Sequence, residues 1–205
     1  MKILVTNDDG IYSPGLSCLA RVASAFGEVI VMAPDVEQSS MGQAITSGKP
    51  ITYKKSPIHF ENMKAYRVNG TPADCVALGT HLYEDIDLVL SGINIGSNLG
   101  NSAWHSGTLS AARQAVLFEV RGIALSVSVG DGETDFDALE PFVMEALKEV
   151  IHENVFQREK WYGPPNLYGI MTGSSLPIKI LWEGNITGSR FFPLNPKMKD
   201  LTAGR

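Results

Sequence analysis

The feature that most constrains this chain is its opening run, residues 2–10, which reads KILVTNDDG. Ile3, Leu4 and Val5 form an unbroken apolar strand pattern that stops abruptly at an Asn-Asp-Asp-Gly turn. A short continuous apolar strand followed by a glycine turn and a helix is how a parallel α/β sheet begins, because such strands are covered on both faces. In these sheets ligands gather beyond the carboxyl ends of the strands, which is where Asp8 and Asp9 fall. Two adjacent carboxylates repel, so either one keeps its proton or both recruit a cation. An all-oxygen site of this kind suits a hard divalent ion, Mg²⁺ or Mn²⁺. Asn, Asp and Gly also populate plain solvated turns for backbone reasons, and this stretch alone leaves both readings open.

The pattern continues as expected of an α/β chain. Ser13 and Pro14 read as an N-cap and a first helical position. Leu16, Leu19, Ala20, Ala23 and Phe26 then recur at helical spacing up to Gly27. Residues 28–32, EVIVM, are a second buried strand, so strand, helix and strand form a right-handed βαβ unit. The turn reads NDDGIYSPG where a dinucleotide fingerprint would read GxGxxG, which argues against a nicotinamide or flavin site. After the second strand comes APDVEQSSMG, at the same end of the sheet as Asp8 and Asp9. Ser39 and Ser40 there are suited either to ligating a metal or to capping a helix. Short runs between 46 and 70 suggest a peripheral β arm or hairpin.

Thr71 and Pro72 open a helix with Cys75, Val76, Leu78 and Leu82 on its apolar face, and residues 85–90, DIDLVL, form the next strand. That strand releases a second loop rich in small residues, SGINIGSNLGN over 91–101. It leads through Trp104, His105, Ser106, Gly107 and Thr108 into a helix with Leu109, Ala112, Val116 and Leu117 inward. Amides and hydroxyls at a helix N-terminus form an anion site, and glycine lets backbone approach the anion closely. A strand over 122–129 and a helix over 135–152, with Phe142, Ala146, Leu147 and Val150 inward, complete the pattern. From 154 on, Pro164, Pro165, Gly169, Gly173 and Pro177 break the chain into short pieces, and 178–182, IKILW, is the one clear strand-like run. The expected architecture is therefore a Rossmann-like, parallel-sheet three-layer α/β sandwich. A peripheral β arm and an irregular or hairpin-like C-terminal appendage over 154–205 accompany a core over 1–153.

Composition narrows the function. The 205 residues carry 17 basic and 22 acidic side chains, a net charge of −5, which argues against binding a nucleic acid duplex. Cys18 and Cys75 lack a partner at CxxC spacing, so no disulfide framework and no zinc site is expected. Buried thiols in a reducing cytoplasm fit instead. No run has the length of a membrane span and none resembles a signal peptide. His59, His81 and His152 read as surface or helix-side residues, whereas His105 sits in the anion loop.

Four motifs occur in order: NDDG after the first strand, APDxxxSS after the second, SGINxGxNLG after a later strand, and HSGT opening the next helix. With GTPADCV over 70–76, this ordered set resembles the SurE family of stationary-phase nucleotidases, from residue 1 to about 129. The resemblance implies a divalent-metal-dependent phosphatase acting on nucleoside 5′-monophosphates, with 3′-monophosphates and short polyphosphate as further substrates. It also implies metal ligation by Asp8, Asp9, Ser39 and Asn94, and phosphate binding by Gly10, Asn98, Ser106, Gly107 and Thr108. Asp8, Asp9 and Asn98 are the catalytic residues it points to, with either aspartate placing the attacking water. It further implies a homodimer or higher homo-oligomer. After about residue 153 the chain departs from the family's pattern. Two rivals are weighed against this reading. A phosphatase with an aspartyl nucleophile would place its aspartates one residue apart, as DxD, which Asp8-Asp9-Gly10 does not match. A nucleotide-binding or interaction protein of the same lineage, without turnover, would keep the same loops.

Overall fold

In the computed structural model, the described residues are 1–98, 100–127 and 134–152, with the backbone of strands at 167–173, 176–185 and 188–192. The strands are β1 (Lys2–Thr6), β2 (Glu28–Pro34), β3 (Tyr53–Lys55), β4 (Lys64–Val68), β5 (Leu88–Ile95), β6 (Arg121–Val127), β7 (Leu167–Gly173), β8 (Leu176–Asn185) and β9 (Gly188–Phe192). The helices are α1 (Pro14–Ser24), α2 (Pro72–Leu82), α3 (Ser102–His105), α4 (Gly107–Leu117) and α5 (Phe136–His152). The described strands form one sheet in the order β3-β4-β2-β1-β5-β6-β7-β8-β9. Pairing is parallel from β4 through β7 and antiparallel at both flanks.

Strand alternation explains the three layers, since successive side chains point to opposite faces. Ile3 and Val5 enter one core with Val29, Val31, Leu88 and Leu90, closed by α1 and α5. Leu4 enters the other with Ile30, Met32 and Val89, closed by Cys75 and Val76 of α2 and Ala111 and Ala115 of α4. Each fully buried Leu or Ile is worth about 1.5–3 kcal/mol over the exposed state. The sheet is therefore held from both faces, and the loops at its carboxyl ends have a rigid base. Both cysteines are buried and unpaired. Among the described residues no helix is long and apolar enough to cross a membrane.

Several expectations shift in detail. Ser13 occupies the N-cap of α1 without a side-chain capping bond, whereas Thr71 forms a full capping box with Asp74. Leu82, Leu117 and Phe142 are exposed, and Val143 takes the inward place expected for Phe142. The hairpin expected between 46 and 70 forms from β3 and β4, but β4 also pairs in parallel with β2 and so belongs to the sheet. The described part of the C-terminal segment is hairpin-like, as expected, with 178–182 inside β8. It does not stand apart from the central sheet, however, because β7 pairs in parallel with β6 along its length.

Candidate active site

The site is built where β1, β2 and β5 end together. β1 lies between β2 and β5, with Thr6 opposite Ser91, so the turn after β1 emerges between the two informative loops. Asn7 closes that turn. Its Oδ1 accepts from Gly10 N at 3.1 Å and its Nδ2 donates to Gly10 O at 3.1 Å. Gly10 sits at φ 94°, a left-handed conformation that suits glycine. The turn thereby presents Asp8 and Asp9 with a fixed backbone.

Asp8 is buried and seated at the N-terminus of α4. Thr108 Oγ1 donates to Asp8 Oδ1 at 2.7 Å. Gly107 is glycine for contact reasons: a Cβ there would lie 2.8 Å from Asp8 Cβ and 3.0 Å from its Oδ2. Burial pushes the Asp8 carboxyl above the ordinary carboxylate range, while the Thr108 hydroxyl and the backbone amides of Thr108 and Gly107 pull it back. Those amides carry the positive end of the α4 dipole. Asp9 has less help. Burial raises it to about 7, with the charges of Asp8 and then Glu37 adding to the rise. Its Oδ2 is buried with no hydrogen-bond partner among the described residues. A carboxylate pair held above its usual range, with one oxygen unsatisfied, is the electrostatic setting that a cation relieves.

The β5 loop supplies the amides. The β5–β6 register shifts between Ser91 and Asn94, a bulge that re-aims the strand's end toward the site. Asn94 is mostly buried, and its Nδ2 donates to Gly96 O at 2.8 Å, so its carbonyl oxygen is the side-chain atom that could hold a cation. Asn98 donates through Nδ2 to Ser126 Oγ at 2.9 Å and lies 3.5 Å from Thr108 Oγ1. Ser106 is the N-cap of α4, its Oγ accepting from Leu109 N at 3.1 Å.

The β2 loop comes in from the other side. Gln38 N donates to Asp8 O at 2.7 Å. Ser39, on the exposed side of this loop, donates to Glu37 Oε1 at 2.6 Å. Asp8, Gly107 and Thr108 are thus in direct contact, and Asn98 joins them through Thr108. Ser39 bonds Glu37 and neither aspartate, and Glu37 acts on Asp9 through its charge alone. His105 is exposed, and the contact it makes to the β2 loop is through its backbone carbonyl. Sequence reasoning missed Glu37 and Ser126. Ser126 carries a readable signal, a polar residue near the carboxyl end of an apolar strand; Glu37 carries none beyond sharing a loop with Ser39.

Comparisons with known proteins place the chain in a family. The family model described as "Survival protein SurE" matches residues 3–167, past the point near 129 where the motif resemblance stops. The 5′-nucleotidase SurE 1 of Thermus thermophilus is 49% identical over 151 residues, covering 73% of this chain and 60% of that protein. The 5′-nucleotidase SurE of Deinococcus radiodurans is 45% identical over 151 residues, covering 73% and 56% respectively. The crystal structure of the SurE protein from Aquifex aeolicus matches with a TM-score of 0.71 at 31% identity, covering 84% of this chain and 66% of that one. The chain therefore spans about 60% of the length of the curated proteins it matches.

Proposed function

Because the chain belongs to the survival protein SurE family, we propose that it is a divalent-metal-dependent phosphomonoesterase that releases phosphate from nucleoside 5′-monophosphates. Nucleoside 3′-monophosphates and short polyphosphate are the further substrates of this reading. The observation that carries it is the seating of Asp8 at the α4 N-terminus beside Asp9, whose buried Oδ2 lacks a partner. The donor set of Asp8, Asp9, Ser39 and Asn94 is all oxygen, which fits Mg²⁺ or Mn²⁺ better than a softer ion.

A metal held there supplies Lewis acidity toward a phosphoryl oxygen and a bound water of lowered pKa. The chain's own groups do the rest. Asn98 and the Ser106 hydroxyl, with the positive end of the α4 dipole at Gly107 and Thr108 and the close backbone approach that Gly10 permits, neutralise charge spread over the equatorial phosphate oxygens. Thr108 also holds Asp8 in one rotamer through its hydroxyl. Asp8 or Asp9 orients the attacking water and accepts its proton. A homodimer or higher homo-oligomer and a cytoplasmic setting belong to the same reading, the latter supported by two buried free thiols.

The test is phosphate release from AMP by the purified chain with and without Mn²⁺, beside the Asp9→Asn variant. We expect metal-dependent turnover that the variant loses while remaining folded. Background release with Mn²⁺ present, together with retained AMP binding, would instead support a nucleotide-binding protein without turnover.

A further inference from the structure

Asp74 is completely buried, belongs to none of the ligand sets above, and makes more hydrogen bonds than its local role requires. As the third residue of α2 it closes the capping box, accepting from Thr71 N at 2.9 Å through Oδ2 while Thr71 Oγ1 accepts from Asp74 N. One carboxylate oxygen suffices for that. The other, Oδ1, accepts from Thr46 N at 2.8 Å, and Oδ2 takes a second bond from Thr46 Oγ1 at 2.7 Å. Thr71 likewise looks outward, donating through Oγ1 to Ala44 O at 2.7 Å. Both members of the cap thus grip the loop that follows β2.

That loop is the one that carries Ser39. Its upstream end is tied to the metal pair through Gln38 N and Asp8 O. Its downstream end is tied by Gly42 N to His105 O at 2.9 Å, by Gln43 Nε2 to Gln114 Oε1 at 3.1 Å, and then by the two latches at Ala44 and Thr46. Ser39 to Met41 therefore form a short span between anchored ends. Charge-assisted bonds are the strongest of these ties, and both of those on the downstream side converge on Asp74. The N-terminus of α2 is also next to the site, since Pro72 lies 3.2 Å from where a side chain on Gly107 would begin.

We propose that Asp74 is a positioning residue of the metal site, latching the 39–46 loop through Thr46 and so setting where Ser39 stands relative to Asp8 and Asp9. The inference rests on the metal reading under Proposed function. Residues that orient ligands from behind typically change metal affinity by about 10–100-fold when altered.

Thr46→Val tests it without touching the α2 cap, since it removes the hydroxyl donor and keeps the N–H. The readouts are Mn²⁺ affinity by calorimetry on the full 205-residue chain in the absence of substrate, turnover at saturating Mn²⁺, and the melting temperature without metal. We expect Thr46→Val to weaken Mn²⁺ binding about tenfold with turnover at saturating Mn²⁺ within about twofold of wild type. Thr46→Ser should restore the affinity. In a Ser39→Ala background, Thr46→Val should add no further loss, because the two act on one contact. A Thr46→Val variant that melts lower but binds Mn²⁺ like the wild type would reduce the latch to a purely structural feature and overturn the proposal. Unchanged Mn²⁺ affinity in Ser39→Ala, with loss in Asp9→Asn, would overturn the latch while leaving a metal site. A wild type that binds no Mn²⁺ would overturn the functional reading itself.

Discussion

At the scale of single residues, Asp9 has the most to say about pH. Its carboxyl rises from 3.8 to about 7 in the metal-free protein, so between these values the folded chain holds a proton that the unfolded chain has lost. Stability contributed this way is fully present below about pH 4 and is lost as pH rises through 7. Chemical denaturation of the metal-free chain should therefore show a midpoint that falls between pH 5 and pH 8, more steeply in the wild type than in Asp9→Asn. Mn²⁺ should remove the difference at pH 8, because the bound ion takes over the proton's role and its binding releases protons. A wild-type profile parallel to that of Asp9→Asn would refute the shift. Asn98 makes a second case. Losing one preorganised donor typically costs about 10²–10³ in turnover, so Asn98→Ala should lower the rate on AMP with Mn²⁺ affinity intact; steady-state kinetics and calorimetry together check this. Asp8 and Asp9 were legible in the sequence because adjacent carboxylates at a strand end form a local pattern. Glu37 was not, because its nearness to Asp9 is created by the way the β2 loop folds back.

At the scale of elements, the site depends on how closely α4 approaches the β1 turn. The glycine at the start of α4 sets that distance. With a methyl at 107 the nearest atoms would be Asp8 Cβ at 2.8 Å, Asp8 Oδ2 at 3.0 Å and Pro72 Cγ at 3.2 Å. Relief requires α4 to back away from β1 and from α2, and overpacking of this kind costs about 1–3 kcal/mol. Gly107→Ala should accordingly lower the denaturation midpoint and weaken Mn²⁺ binding together, since Asp8 loses its seat on the helix N-terminus. A loss of stability alone, with Mn²⁺ affinity kept, would show that Asp8 does not need α4. The boundaries of α1, α2, α4 and α5 are readable from caps and periodicity, as the Thr71 cap of α2 shows, whereas the four-residue α3 lies in what reads as loop. The inward face is less readable. Leu82 and Leu117 end their helices, where the sheet no longer covers them, and Phe142 stands one position from the stripe that Val143, Ala146, Leu147 and Val150 occupy. Side-chain size marks what can be buried; only packing decides which neighbour is.

At the scale of the whole molecule, β7, β8 and β9 extend the sheet beyond β6. Composition and breaker residues suggested an appendage over 154–205, because local signals in that segment are weak and a strand's partner is not a local property. The backbone instead continues the sheet: β7 pairs with β6 over Gly122 to Val127, and β8 and β9 follow as an antiparallel ladder. Helix α4 also contacts β7, and α5 contacts β8. We propose that the segment is structural even though none of the candidate ligands lies in it. A chain ending at residue 153 would leave the outer edge of β6 unpaired beside buried Ile123, Ala124 and Leu125. An open, apolar edge strand pairs readily with other chains. The truncated chain should therefore melt below the full-length protein and elute as larger species in size-exclusion chromatography at micromolar concentration. Limited proteolysis of the full chain should agree, with cleavage at Gly173, the end of β7, slow and global unfolding required before it. If the 1–153 chain stayed monodisperse, kept the melting temperature of the full protein and bound Mn²⁺ equally well, the C-terminal strands would be an accessory to a self-sufficient core.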